Sequence, residues 1–206
     1  PLSSIKGFAV YFKDRLKGHT EDEETADILI AETERLNRAV SELIDFARPL
    51  KLKKEQIDLP ALAAHTAKLI EANAQKASVA LELAAAEHLP QVFADPDKVQ
   101  QALLNVFLNA LAAMPEGGQL SVSFQMQKGF LAVMISDTGA GISKEDLPRI
   151  FDPYFTSKPE GTGLGLAIVS KIMDAHAGTI DIESREGGGT TVTLRFPINF
   201  DEGRTS

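Results

Sequence analysis

"EGTGLGLAIVSKIMDAHAG", residues 160–178, sets Gly161, Gly163 and Gly165 at alternate positions and then runs on as an apolar-periodic helix towards His176 and Gly178. Glycine weakens regular structure, so three in alternation imply a backbone held close to something, commonly a phosphate met by N–H groups at a helix N-terminus. Read alone, the stretch is equally a glycine set that lets a helix pack tightly. No GxxxxGK[ST] occurs in the chain, which excludes a P-loop.

The flanking segments supply the fold. Downstream, "TIDIES" (179–184) and "TTVTLRF" (190–196) alternate on either side of Gly187–Gly189. Upstream, "LSVSFQM" (120–126) and "FLAVMIS" (130–136) form a hairpin pattern around Lys128-Gly129. A strand is expected at "VALEL" (79–83) and a short one near Val92. Helices are expected from an N-cap at Asp58 to about Ala74 and from Pro96 to Met114, with an irregular stretch over 137–163. Mixed strands with helices on one face predict an α+β sandwich and not the βαβ alternation of a Rossmann domain.

Residues 1–48 follow another period. Leu2, Ile5, Ala9, Phe12 and Leu16 step by three and four, and so do Ala26, Leu29, Thr33, Leu36, Val40, Leu43 and Ala47. That is a heptad seam on two helices, broken at Gly18 and reopened by a capping box, Thr20 to Glu23. A single hairpin of this kind has two apolar flanks and hides one, so a homodimeric four-helix bundle through residues 1–48 is expected; the alternative is a hairpin packed on its own chain. Pro49 ends the second helix, and 49–57 reads as a polar linker. A sandwich domain over 58–198 and a tail at 199–206 complete the plan.

Composition narrows the function. At 44% hydrophobic residues the chain can bury a core, and a net charge of -8 argues against a nucleic-acid surface. The absence of cysteine excludes disulfides and thiolate zinc sites. No apolar run reaches membrane-spanning length, so these residues are expected to be soluble, whatever membrane anchor a parent protein carries.

Several residues stand out chemically. Asn105 and Asn109 share one face of an otherwise apolar helix, where two buried amides need a polar cavity or nearby backbone; an asparagine oxygen also suits Mg²⁺. Asp137 ends a strand beside Gly139 and Gly141, well placed to accept from an exocyclic amine, though Asp-Thr-Gly is also ordinary turn chemistry. "RIFDPYFTSK" (149–158) carries Phe151, Tyr154 and Phe155 in a loop, as a mobile flap does. Lys158 in that flap could reach a γ-phosphate, while a lone loop lysine more often carries a solvated charge.

Together these segments resemble the N, G1, F, G2 and closing Gly-Thr boxes of sensor histidine kinases. They are Asn105/Asn109, Asp137–Gly141, Phe151–Phe155, Gly161–Gly165 and Gly189-Thr190, in that order. "PLSSIKGFAVYF" looks like the continuation of the family's H-box, and the nearest flavour is the nitrogen-regulation and zinc-responsive (NtrB/ZraS-like) subgroup. The resemblance implies a helical hairpin followed by a GHKL (Bergerat-type) sandwich that binds ATP with Mg²⁺. Asp137 would take the adenine amino group, with Gly139, Gly141 and Ile142 around the base. Asn109, with Asn105 beside it, would hold Mg²⁺. Residues 143–161 would form a lid carrying Tyr154 and Phe155. Thr162, Gly163, Leu164, Gly165 and Leu166 would cradle phosphate, Thr190 would close the site, and Lys158 and Asn105 would serve transfer.

GHKL enzymes that hydrolyse ATP are similar in fold but carry a glutamate where Asn105 stands, and an amide cannot take water's proton. The resemblance therefore implies transfer to a histidine of the hairpin, then to an aspartate on the receiver domain of an NtrC-like response regulator. The family's H-E-x-R-N-P-L pattern, aligned on Pro1, sets that histidine five places before it. The 206 residues alone are then expected to bind Mg·ATP and dimerise without phosphorylating themselves. The parent is expected to be an inner-membrane-anchored sensor with this portion in the cytoplasm. His19, His65, His88 and His176 are read as structural or solvated, His176 as a cation at a helix C-terminus. Receiver docking is expected on the Tyr11 side of the first helix. The rival readings are a GHKL ATPase or clamp and a non-catalytic nucleotide-gated dimerisation module.

Overall fold

The structure is a computed structural model that describes residues 2–16, 20–85, 89–158 and 161–198. Gly18 and His19, His88, Pro159 and Glu160 of the lid, the 199–206 tail and the side chain of Thr20 lie outside the described residues.

Two helices, α1 (Leu2–Arg15) and α2 (Thr20–Ala47), form an antiparallel hairpin. Lys6 pairs with Glu34 at 2.7 Å, and Lys13 pairs with Asp27. Among the described side chains of the heptad seam, which leave out that of Ala47, only Ala9, Ala26 and Thr33 are buried, while Ile5, Phe12, Leu29, Leu36, Val40 and Leu43 stay exposed. The hairpin thus hides its small residues within itself and leaves its large ones uncovered. Phe8, flanking the seam, is 65% exposed. Tyr11 lies off the seam in solvent, with the Arg15 guanidinium 5.3 Å from its ring centre. Among the described residues no helix is long and apolar enough to cross a membrane.

The sandwich starts earlier than its sequence suggests. Strand β1 (Glu55–Ile57), in the stretch expected to be linker, pairs antiparallel with β3 (Val92–Ala94). Helix α3 (Leu59–Lys76) follows an N-cap at Asp58, whose carboxylate accepts from Ala61 N–H at 2.9 Å. Then come β2 (Val79–Leu83), α4 (Pro96–Ala112), β4 (Gly118–Gln127), β5 (Phe130–Asp137), a 3-10 turn at Leu147–Arg149, α5 (Gly165–Ala175), β6 (Thr179–Ser184) and β7 (Thr190–Pro197). The main sheet runs β2-β4-β5-β7-β6, with β2 parallel to β4 and the remaining pairs antiparallel.

Period-2 alternation decides which face is buried. Leu131, Val133 and Ile135 of β5 sit opposite Phe196, Leu194 and Val192 of β7, in one row under α3, α4 and α5. Phe107 and Leu103 of α4, Ile70 of α3 and Ile172 of α5 fill the space above it. The next place in that row is Asp137, opposite Thr190. A carboxylate is thereby set on the core-facing side of the sheet, just where the apolar layer ends.

Candidate nucleotide-binding site

Helices α4 and α5 form two walls of a cleft, and α5 is fastened to α4 at both of its own ends. At one end Asn105 Nδ2 donates to the carbonyl of Gly165 at 3.4 Å. At the other, Asp95 caps α4, its carboxylate accepting from Lys98 N–H at 3.1 Å and Lys53 N–H at 2.7 Å. The Asp95 N–H in turn donates to His176 Nε2 at 3.0 Å, and His176 Nδ1 lies 2.8 Å from the Ile172 carbonyl. A backbone N–H only donates and a carbonyl only accepts, so the ring is the neutral Nδ1–H tautomer. His176 is therefore a buried neutral tie and not the helix-end cation its sequence position suggests. Burial, and a donor aimed at Nε2, outweigh the helix dipole.

Burial holds the His176 imidazole below its ordinary 6.5, against the opposing Ile172 carbonyl, with Lys54 assisting and the Asp95 charge resisting. Because the folded value is lowered, the unfolded chain takes up the proton first. Stability is fully present above pH 6.5 and drains away as pH falls below it. Urea midpoints at about pH 7.5 and 5.5 should show the lower stability at the acid value; a midpoint that holds or rises would exclude the neutral tie.

Beyond the Asn105–Gly165 contact, towards the C-terminal end of α4, lies a cavity of about 760 Å³. It is lined by Asn105 and Asn109 from α4, Asp137 and Thr190 from the sheet, and Lys158 from the lid. Gly141 and Ile142, Phe155, and Gly161, Thr162, Gly163, Gly165 and Leu166 complete the predicted set that reaches it. Three expected members do not. Gly139 packs against the end of α4, where an added Cβ would lie 2.6 Å from the Ala113 carbonyl oxygen. Leu164, 1% exposed, turns into the core as the N-cap residue of α5. Tyr154 points outward, 61% exposed at φ +68°, its N–H donating to the Gly163 carbonyl at 3.0 Å. It holds the lid to the glycine loop by main chain rather than by its ring.

Lys158 is not a solvated charge. The lid carries it inward until Nζ donates to the Asn109 carbonyl at 3.0 Å. Burial pushes its ammonium below the usual lysine range, with the Asp137 charge opposing. Asp137 itself is raised above the ordinary carboxylate range by burial, against donation from Gly139 N–H (2.8 Å), donation from Thr190 N–H and the charge of Lys158. At the far side, α5 begins with no side-chain cap, and an uncapped helix N-terminus is the kind of end that favours an anion.

Magnesium fits this donor set only in company. No cluster of three or more His, Cys, Asp or Glu able to hold a metal occurs among the described residues. The amide oxygens of Asn105 and Asn109 could complete the shell of a Mg²⁺ that arrives on phosphate oxygens and keeps its waters.

Sequence reading missed Ser184 and Arg35. Ser184 Oγ accepts from Ile142 N–H at 2.9 Å, donates to the Gly189 carbonyl at 3.0 Å and lies 2.9 Å from Thr190 Oγ1. It ties the loop after Asp137 to the turn before β7, and as the last residue of an alternating strand it gave no sign of this. Arg35 lines the cavity from α2.

A GHKL-type sandwich with a nucleotide-sized cleft between its helices defines the class. Residues 94–199, just over half of the chain, match the histidine kinase-, DNA gyrase B- and HSP90-like ATPase family model, and the chain belongs to that family. Among its relatives, the sensor histidine kinase ZraS of Escherichia coli K12 is 42% identical over 97% of the chain, which spans 43% of that protein. Full-length ShkA in complex with AMPPNP superposes with a TM-score of 0.78 at 26% identity, over 96% of this chain and 43% of that one. The histidine kinase ThkA, in complex with response regulator protein TrrA, superposes with a TM-score of 0.75 at 27% identity, over 96% of this chain and 57% of that one.

Proposed function

We propose that these residues are the kinase portion of a two-component sensor. They bind Mg·ATP in the cleft between α4 and α5 and pass its γ-phosphoryl group to a histidine on the stalk formed by α1 and α2. The observation that carries this reading is the meeting, in one cavity, of Asn105, Asn109, Asp137, Lys158 and the open N-terminus of α5. Asp137 accepts from the adenine amine, the glycine loop and α5 take the phosphates, and Lys158 leaves the Asn109 carbonyl for the γ-phosphate. Magnesium, when bound, offsets charge that builds on the phosphates during transfer. No carboxylate stands on the cavity face of α4 to activate water, so the bond between the γ-phosphorus and its bridging oxygen breaks only when an imidazole nitrogen attacks. ADP leaves, and the imidazole gives up its proton.

The acceptor histidine is assigned to the family position five places before Pro1. The exposed apolar row of the hairpin fits a second copy of the chain and so a dimeric stalk. The phosphoryl group would pass on to the receiver of a response regulator of the NtrC-like kind. The likeness to ThkA, solved with TrrA, supports a partner of this type, and the family resemblance of the sequence leads us to place this portion on the cytoplasmic side of a membrane-anchored parent.

Calorimetry with Mg·AMPPNP, followed by a search for acid-labile phosphate when a histidine-bearing stalk is supplied with ATP, tests the reading; a chain that evolves no binding heat refutes it. Asn105→Glu should raise futile ATP hydrolysis or abolish phosphotransfer, by about tenfold or more. If neither rate moves in a coupled ATPase assay and a transfer assay, Asn105 has been given the wrong role.

A further inference from the structure

We infer that Arg35, on stalk helix α2, is a ligand for the terminal phosphate, so that a bound triphosphate bridges the sandwich to the stalk. This rests on the nucleotide reading of the cavity and deepens it. Among the described residues Arg35 is the sole member of the hairpin on the cavity wall. A second contact fixes the path of α2: Lys171 Nζ, on α5, donates to the Arg48 carbonyl at 2.8 Å. Arg35 and Arg48 are separated by about 20 Å of helix, whereas Lys171 stands only about 9 Å from the first residue of α5. A helix tethered beside Lys171 that reappears in the cavity therefore runs past the N-terminal end of α5. Arg35 and Gly165, the first residue of α5, line the same cavity.

The charges of the cavity call for such a group. Its wall carries two carboxylates, Asp137 and Asp146, and two cations, Arg35 and Lys158. Lys158, once it leaves the Asn109 carbonyl, brings a single ammonium to the γ-phosphate. A guanidinium matches phosphate through paired N–H donors, which an ammonium does not. Its present partner is Glu32, one turn earlier on α2, with Oε2 at 3.0 Å from Nε and 2.8 Å from Nη2. Both side chains are about half exposed, and an ion pair of that kind contributes little. Glu32 thus occupies the guanidinium weakly, and a terminal phosphate can replace it.

Calorimetric titration of the 206-residue chain with Mg·AMPPNP and with Mg·ADP tests the inference. Arg35→Ala should weaken AMPPNP about fivefold to tenfold and ADP less than about twofold, a charge-assisted bond discounted for partial exposure. Glu32→Gln, which frees the guanidinium, should tighten AMPPNP about twofold. Arg35→Ala affinities that stay unchanged, or fall equally for the two nucleotides, overturn the assignment, and so does a Glu32→Gln chain that binds AMPPNP more weakly. A parent chain that binds neither nucleotide sinks the reading of the cavity itself, whereas a parent that binds both alongside an indifferent Arg35→Ala chain sinks only this one.

Discussion

Asp137→Asn should lower the affinity for Mg·AMPPNP about a hundredfold while the melting temperature stays level or rises, because what makes this carboxylate useful to a ligand makes it a burden to the fold. Asp137 continues the inward row of β5 at the edge of the core, and burial raises its carboxyl above the usual range. For a group raised in this way, the folded chain holds the proton more tightly than the unfolded one. Its contribution to stability is therefore greatest at low pH and is lost as pH rises towards neutrality. An amide removes that cost. It also leaves a single acceptor oxygen where Gly139 N–H, Thr190 N–H and the incoming amine all need one. Paired thermal melts and titrations check both halves. Unchanged affinity would take Asp137 out of the base pocket, and a large fall in melting temperature would mean the charge supports the fold.

Gly141→Ala should produce the opposite pattern, with stability and binding lost together. At φ +70° Gly141 occupies the left-handed region, and a Cβ there would lie 2.0 Å from the Arg185 carbonyl oxygen and 2.7 Å from its carbon. Both are backbone atoms of the turn before β7, so no side chain can swing aside. The loop must move away, taking Ile142 off Ser184. Strain plus displacement should cost about 3 kcal/mol. Chemical denaturation measures that loss, and calorimetry should find binding reduced beyond detection. A variant as stable as its parent would show that the two turns are not in contact in solution.

Local chemistry made much of this molecule legible. Lys128 and Gly129 both have positive φ, as a two-residue hairpin turn of the primed type requires, and the alternation on either side fixed the β4–β5 register. Asp58 and Asp95, each before a helix with an early proline, cap where such residues should. The unread parts depend on distant partners. Strand β1 is three residues in a lysine-rich stretch and exists because β3 offers it an edge. His176 could not be known as neutral from its helix end alone, since the N–H that meets it belongs to Asp95, 81 residues away. Lys158 looked like an ordinary loop cation because the path of the lid, not its own neighbours in sequence, brings it to Asn109.

The two fastenings of α4 to α5 have a mechanical consequence. Asp95–His176 and Asn105–Gly165 are about 15 Å apart along α4. One lies inside the cleft and the other behind it, so the helices behave as jaws with a rear pivot. The gape available to a guest is then set partly by an imidazole that never touches it. Evolution or an engineer could retune the grip from the back of the domain and leave every residue that meets the guest in place.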